Sequence, residues 1–290
     1  MKTGGFVLVA AGVLALCAAE RALANSAGVS GRATLGCGGG SCHVGAASSD
    51  TTVTISAPAS VTPGAGADVT VSITGPAPLL NGINQGGFNL QPSAGTLSVP
   101  ADGTIRLWAG NTEASHSITG NDQRAWTVRW NPPGVPSLCE FVFNAAGNAV
   151  NGDGVQSSAD HWNLATASTV VNTQGDERNP TGEFSVPAAN RAHVFGSTLQ
   201  SPTTLVVGPL TLQVIANDDT GIARVEIYDE DLTGETRIGD ATFAGVVNGG
   251  NRYNLAWSSG LETPGPHTLR AHITDCSGNA IDVTIDLIVL

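Results

Sequence analysis

The chain has 290 residues, with 12 Lys and Arg against 24 Asp and Glu, 37 Gly, 15 Pro and only 12% charged residues. That length allows one or two domains, each large enough to bury most of its apolar surface without staples. So acidic a chain has no basic patch with which to release counterions, which makes nucleic acid and anionic membranes poor partners and leaves a cationic partner protein or a cell-surface component.

Residues 1–24 have the form of a secretion signal. Lys2 is a short positive start, Phe6 to Ala19 an apolar core, and Ala22-Leu23-Ala24 a small-residue cleavage site. A lipoprotein reading ending at Cys17 is weaker, because Leu16 fills the place of the small residue expected before it. Removal of 1–24 deletes Lys2, Arg21 and Glu20, leaving a net charge of −13 and no lysine. Export to the periplasm, medium or cell surface is the expectation. No later stretch approaches the ~20 apolar residues of a membrane span, and the apolar end Asp286–Leu290 is too short for an anchor.

Behind the signal stands Gly36-Cys37-Gly38-Gly39-Gly40-Ser41-Cys42-His43-Val44-Gly45. A cysteine pair ending in Cys-His is the pattern of c-type haem attachment, in which each thiol adds to a vinyl group and the adjacent histidine supplies a nitrogen to iron. The usual spacing has two residues between the cysteines and this loop has four, so the extra residues must bulge outward; three glycines make that bulge inexpensive. The competing reading is a small Cys37–Cys42 disulfide ring, the common fate of neighbouring cysteines in an exported protein. Both readings stay open on the residues alone.

Alternating strands begin at once. Thr51–Ser56 and Asp68–Thr74 alternate, with Val53, Ile55, Val69, Val71 and Ile73 inward, and further strands are predicted at 87–91, 96–99, 104–109, 114–118, 125–130, 138–144 and 162–171. Pro and Gly punctuate them at sandwich spacing. Trp126, Val128 and Trp130 share one face, which marks the tryptophans as core. From Leu138, the inward set is Cys139, Phe141 and Phe143, with Cys139 a buried thiol behaving as a small hydrophobe.

Gly87-Phe88-Asn89-Leu90, Gly95-Thr96-Leu97, Ser115-His116-Ser117, the run Ala125 to Pro133, Phe141 to Asn144, and Ala145 to Gly154 followed by Asp160-His161-Trp162 together resemble the reeler-like, choice-of-anchor type domain of secreted bacterial proteins. The resemblance covers residues 25–171. It implies a β-sandwich and, because many members carry a Cys-x-x-Cys-His motif before the first strand, haem c at Cys37, Cys42 and His43. It also implies a His-Thr element before the Trp-rich strand, matched here by His116-Ser117. Asn148, Asn151, Asp153 and Asp160 concentrate oxygen ligands suited to calcium, although an Asn/Gly turn capping its own backbone is the favoured reading.

Residues 172–203, with Pro180, Pro187 and Pro202, read as a linker. From Thr204 to Leu290 a second alternating set follows: Leu210, Leu212, Val214; Ile222, Val225, Ile227; Tyr253, Leu255, Trp257; Leu269, Ala271, Ile273; Val283, Ile285, Leu287, Val289. About seven strands in this length is the size of one immunoglobulin-like sandwich. Asp218 to Tyr228, Pro266 to Ala271 and Asp275 to Asn279 resemble bacterial Ig-like domains, which implies a spacer or binding module. His267 and His272 read as strand decoration, and Cys276 either is free or pairs with Cys139 if the two domains touch.

The expected protein is therefore all-β, two sandwiches with less than a tenth helix. As a function, a secreted monohaem electron carrier with a redox partner stands against a non-enzymatic adhesion or display protein with a Cys37–Cys42 disulfide. With Met1 the only methionine, a sixth iron ligand would be histidine, water or nothing; His116 is the first choice and His161 the second. An enzyme ranks lowest, since the chain has no Gly-x-Ser-x-Gly elbow, His-Glu-x-x-His pair or phosphate-binding loop.

Overall fold

The computed structural model describes residues 25–38, 43, 45–76, 83–185, 194–195, 205–206, 208–259 and 262–290. The stretch 1–24, read above as a secretion signal, and Cys42 lie outside the described residues. Ten strands build the first half: β1 (Thr52–Ser56), β2 (Ser60–Val61), β3 (Ala67–Thr74), β4 (Gly86–Pro92), β5 (Thr96–Ser98), β6 (Ile105–Trp108), β7 (Glu113–His116), β8 (Ala125–Asn131), β9 (Glu140–Ala149) and β10 (His161–Val171). They form a four-stranded sheet in the order β1-β3-β8-β5 and a six-stranded sheet in the order β2-β10-β9-β4-β7-β6. Every pairing is antiparallel except β2 with β10.

The alternation in β8 has the expected consequence. Trp126, Val128 and Trp130 are buried while Thr127 and Arg129 face out. Trp130 packs edge-on against Phe141 and Phe143, with ring centroids 5.1 and 4.9 Å away, and Phe88 stacks on Trp126 at 4.7 Å. Each indole N–H is satisfied inside the core, Trp126 donating to the Gly120 carbonyl at 2.7 Å and Trp130 to that of Ala94 at 2.9 Å. The indoles therefore fill the core without leaving a buried donor unpaired.

The second half contributes β11 (Thr181–Ser185), β12 (Val194–Phe195), β13 (Leu205–Val206), β14 (Pro209–Asn217), β15 (Ile222–Asp231), β16 (Gly234–Asp240), β17 (Thr242–Val247), β18 (Gly250–Ser258), β19 (Gly265–Asp275) and β20 (Ala280–Val289). Again two sheets face each other, β11-β14-β18-β17 and β12-β13-β20-β19-β15-β16. The predicted inward residues form the core, with Leu255 and Val283 at its partly buried margin. Among the described residues only Ala109–Asn111 and Ser259 are helical, both in 3-10 geometry.

Two expectations need correction. The stretch 172–203 is not simply a linker: Thr181–Ser185 pairs with β14 as an edge strand, because Phe184 is buried in the second core opposite Val214. One apolar residue among Thr, Gly, Glu and Ser gave too weak an alternation to register as a strand. Cys139 is not a buried thiol either. It is disulfide-bonded to Cys276, Cα to Cα 5.4 Å, and the two sandwiches touch there. Asn251 and Tyr253 reinforce the junction by donating to the carbonyls of Pro136 and Ser137 at 3.1 and 3.4 Å.

Candidate functional site

A sandwich sheet usually offers one face to its core and the other to water. The six-stranded sheet of the first sandwich departs from this in the strip where β10, β9, β4 and β7 run side by side. Asn89, Glu113, Ser115, Ala146 and Asn148 are all buried there, although none belongs to the large core cluster. The cover is the chain's own segment 25–38. Ser30 and the Gly31 N–H donate to the Glu113 carboxylate. The Arg32 N–H donates to Asn89 Oδ1 at 2.8 Å, and Asn89 Nδ2 donates to the carbonyls of Val29 and Ala114 at 3.1 and 3.2 Å. A carboxylate that is 3% exposed is thus fully occupied by the segment it pins.

From there the chain runs over Trp162. A Cβ on Gly36, whose φ is +81°, would lie 2.1 Å from the indole ring, and one on Gly38 2.6 Å from it, so only glycine fits at either place. The indole N–H donates to the Gly45 carbonyl at 3.3 Å, and Cys37 packs with Trp162 and Ala146 in a small cluster of its own. Gly38 and His43 are joined by an isolated bridge, which closes the base of the loop. Gly38, one of the three glycines that sequence reading assigned to bulging, thus also admits the ring beneath.

His43 is thereby delivered beside β9 and the end of the β9–β10 connection. Its Nδ1 lies 3.4 Å from Asp160 Oδ2, and its Nε2 lies 2.6 Å from Asn148 Nδ2. A carboxylate behind one ring nitrogen, fixing ring orientation and leaving the other nitrogen as acceptor, is the arrangement found behind metal-ligating histidines. Asn148 is 3% exposed and its Oδ1 has no hydrogen-bond partner. Asp160 in turn accepts from the N–H groups of Asn151 at 3.3 Å and Ser157 at 3.1 Å.

These groups open on a cavity of about 500 Å³, well within the range of small-molecule and cofactor sites. His43, Cys37, Asn148 and Asp160 line one part of it, and His116 and Gly87 another. The missing Cβ of Gly87 makes room for His116, whose Cε1 would lie 2.5 Å from it. His116 sits at the end of β7, not in a loop, with Nδ1 at 3.2 Å from the Phe88 N and 3.3 Å from the Phe88 O. Burial holds its imidazole below the ordinary histidine value, outweighing the Phe88 and Asn25 backbone hydrogen bonds that favour the proton, so the ring is neutral at pH 7.

Residues distant in sequence thus meet in one place, His43 lying 105 positions from Asn148 and 117 from Asp160. Cys37, His43 and His116 share the cavity; His161 does not line it and instead meets Ser48 Oγ at 3.2 Å. The oxygens expected for calcium are used locally: Asp153 accepts from Val155 N–H and Asn151 Nδ2, Asn151 Oδ1 accepts from Asp153 N–H, and Asn148 belongs to β9 rather than to the loop. Sequence reading missed Asn89, Glu113 and the roles of Asn148 and Asp160. The signal for Glu113 was an acidic residue immediately before the predicted strand 114–118, legible only once the strand is seen to start at Glu113 and a covering segment is known.

In the second sandwich, His267 is not strand decoration. It is buried, with Nδ1 2.9 Å from both Asp229 oxygens and Nε2 2.7 Å from the Thr263 carbonyl. Asp176, Asp218 and Asp275 bring one oxygen each within 4.8 Å of one another, a group the sequence reading did not single out. Thr220 and Ser277 hydroxyls donate to Asp176 at 2.8 and 2.7 Å. Burial pushes the Asp218 carboxyl up, opposed by its Thr220 hydrogen bonds and assisted by the two neighbouring carboxylates.

No family model and no curated protein matches the chain. The molecule is an all-β protein of two sandwiches. The solved structures it is similar to include the human F-spondin reeler domain, at 14% identity over 44% of this chain and 91% of that one, with a TM-score of 0.30. A tandem of titin immunoglobulin domains matches at 10% identity over 83% of this chain and 96% of that one, with a TM-score of 0.36. No helix of the described residues is long and apolar enough to cross a membrane.

Proposed function

We propose that this chain is an exported electron-transfer protein whose first sandwich would hold one haem c in its cavity, attached through Cys37 and Cys42, with His43 giving a nitrogen to the iron. The observation that carries the reading is the meeting of Cys37, a carboxylate-backed His43 and His116 around one cavity of about 500 Å³. The group would supply a one-electron couple; the chain's own residues do the rest. Asp160 orients His43 and sets its tautomer, raising the basicity of Nε2. Phe88, Val29 and Val150 contribute apolar wall, which lowers the local dielectric and so tunes the potential. Asn148 must turn away from His43 Nε2 when that nitrogen is used.

In this reading the second sandwich is a spacer or docking module, and no enzymatic step is assigned to either half. The acidic surface suits a cationic redox partner protein or a cell-surface component. The test is the visible spectrum of protein exported by a host with a haem-attachment system. Soret and α bands are expected in the parent and are expected to vanish in both Cys37→Ser and Cys42→Ser. A colourless parent would leave the display reading, with the two sulfurs joined to each other.

A further inference from the structure

Lys2 is the only lysine of the sequence. Once residues 1–24 are removed, the chain keeps a single primary amine, the α-amino group of Asn25. Asn25 and Ser26 line the same cavity as His43 and His116. Asn25 is also held in place. Its carbonyl accepts from the Gly28 N–H at 3.3 Å and is bonded by the His116 ring, and its Oδ1 accepts from the Ala27 N–H at 3.3 Å. Sliding of the segment is blocked further along by the Glu113 and Asn89 bonds, and at Gly28, where a Cβ would lie 2.1 Å from the His116 carbonyl.

The hydrogen bonds of the His116 ring go to the backbone of Phe88 and Asn25, so this histidine is committed to holding the wall. The amine is differently placed. An α-amino group has a pKa near 7.7–8.0, so about a tenth to a sixth of it carries a lone pair at pH 7. In the uncleaved precursor the same nitrogen is a planar peptide nitrogen, whose lone pair is delocalised and not basic.

We propose that the amino group released by cleavage between Ala24 and Asn25 opens into the cavity and is its nitrogen donor opposite His43, with His116 as the residue that positions it. The inference rests on the haem reading for the ligand role, though not for the placement of the amine. Processing then completes the site: the precursor offers the cavity His43 alone on one side, and only the exported, cleaved chain offers nitrogen on both.

The test compares the exported chain with one carrying Gly-Ser inserted between Ala24 and Asn25, which displaces the amine by roughly 7 Å of extended chain. Amino-terminal sequencing comes first, and a mature chain that starts anywhere but Asn25 overturns the proposal. In haem-free protein, acetylation of the sole primary amine by an activated ester, followed by intact mass, is expected to be severalfold slower in the parent than in the extended chain. Equal rates overturn the placement. His116→Ala should raise the parent's rate to that of the extended chain, whereas His116→Gln, which can still donate to the Asn25 carbonyl, should keep it slow. In haem-bearing protein the extension should convert a low-spin spectrum to high-spin with the haem mass retained; an unchanged low-spin spectrum overturns the ligand role. Absence of haem in both chains would fail the haem reading and leave acetylation to decide the placement.

Discussion

The two sandwiches pair a four-stranded with a six-stranded sheet in the same way, yet their outer faces differ. On the six-stranded sheet of the second, the outer side chains are solvated charge pairs: Arg224 and Arg237 with Glu226 and Asp240, and Arg270 with Glu235 and Asp282. Such pairs contribute little each, about 0–1 kcal/mol. On the first, a strip of the corresponding face is covered by segment 25–38 and carries buried Asn, Glu and Ser. A covered polar face costs desolvation for any group left unbonded; Glu113 and Asn89 are bonded by segment 25–38, which they hold against the sheet, and Asn148 Oδ1 is left without a partner. The lesson is that the candidate site of this chain lies where a sandwich acquires a third layer, not within the sandwich itself.

The largest effects should come from the two cores, and they show how separately the halves stand. Trp130→Ala removes the ring against which Phe141 and Phe143 pack and should cost about 3–5 kcal/mol, as should Trp257→Ala in the second core. Denaturant titration followed by hydrogen exchange should assign each loss to its own half. A loss spread equally over both halves by either variant would contradict two separate cores.

Next in size is the junction. The Cys139–Cys276 bridge spans 137 residues of sequence, and replacing both cysteines by Ser should cost up to about 5 kcal/mol in the chain-entropy description. Calorimetry should then resolve two transitions where the bridged protein shows closer coupling. An unchanged profile would mean that the Asn251 and Tyr253 bonds alone hold the halves together.

A smaller change tests the third layer. Glu113→Ala leaves the Gly31 N–H without its acceptor and should cost about 1–3 kcal/mol, with proteolytic cutting of 25–38 appearing before any cutting of strands. Protection equal to the parent's would show that Asn89 suffices.

The smallest effect is one of pH and belongs to the second sandwich. Burial pushes the His267 imidazole down, but the Thr263 carbonyl and the Asp229 carboxylate hold it above the ordinary value. A histidine raised on folding binds its proton more tightly folded than unfolded, so its contribution is fully present below about pH 6.5 and is lost as pH rises through the folded value. Urea midpoints of the second core should therefore fall with pH above 6.5, and His267→Gln should flatten that slope. A midpoint that rises over the same range contradicts the sign.

How legible all this was depended on whether a residue's role is local. The period-2 patterns of β8, β14 and β19 are properties of consecutive residues, and they revealed both cores. Phe184 was missed because one inward residue makes no pattern. The pairing of Cys139 with Cys276 stayed open because it depends on the contact between the halves. Cys37, Cys42 and His43 stood out as a motif, and His116 through a resemblance. Asn148 and Asp160 were visible as polar residues but were read as parts of an Asn/Gly turn capping its own backbone, with calcium as the lesser alternative. Their service to His43 depends on β9 and β10 meeting a segment more than a hundred residues earlier, which no spacing in the sequence encodes.

The most direct test of the central claim is the intact mass of protein exported under haem-supplying conditions. Bound haem needs both sulfurs of Cys37 and Cys42, and a disulfide between them consumes the same atoms, so the two states exclude each other in one molecule. The account predicts the cleaved chain plus one haem, with a single bridge at Cys139 and Cys276. A haem-free mass lower by the hydrogens of two bridges would contradict it.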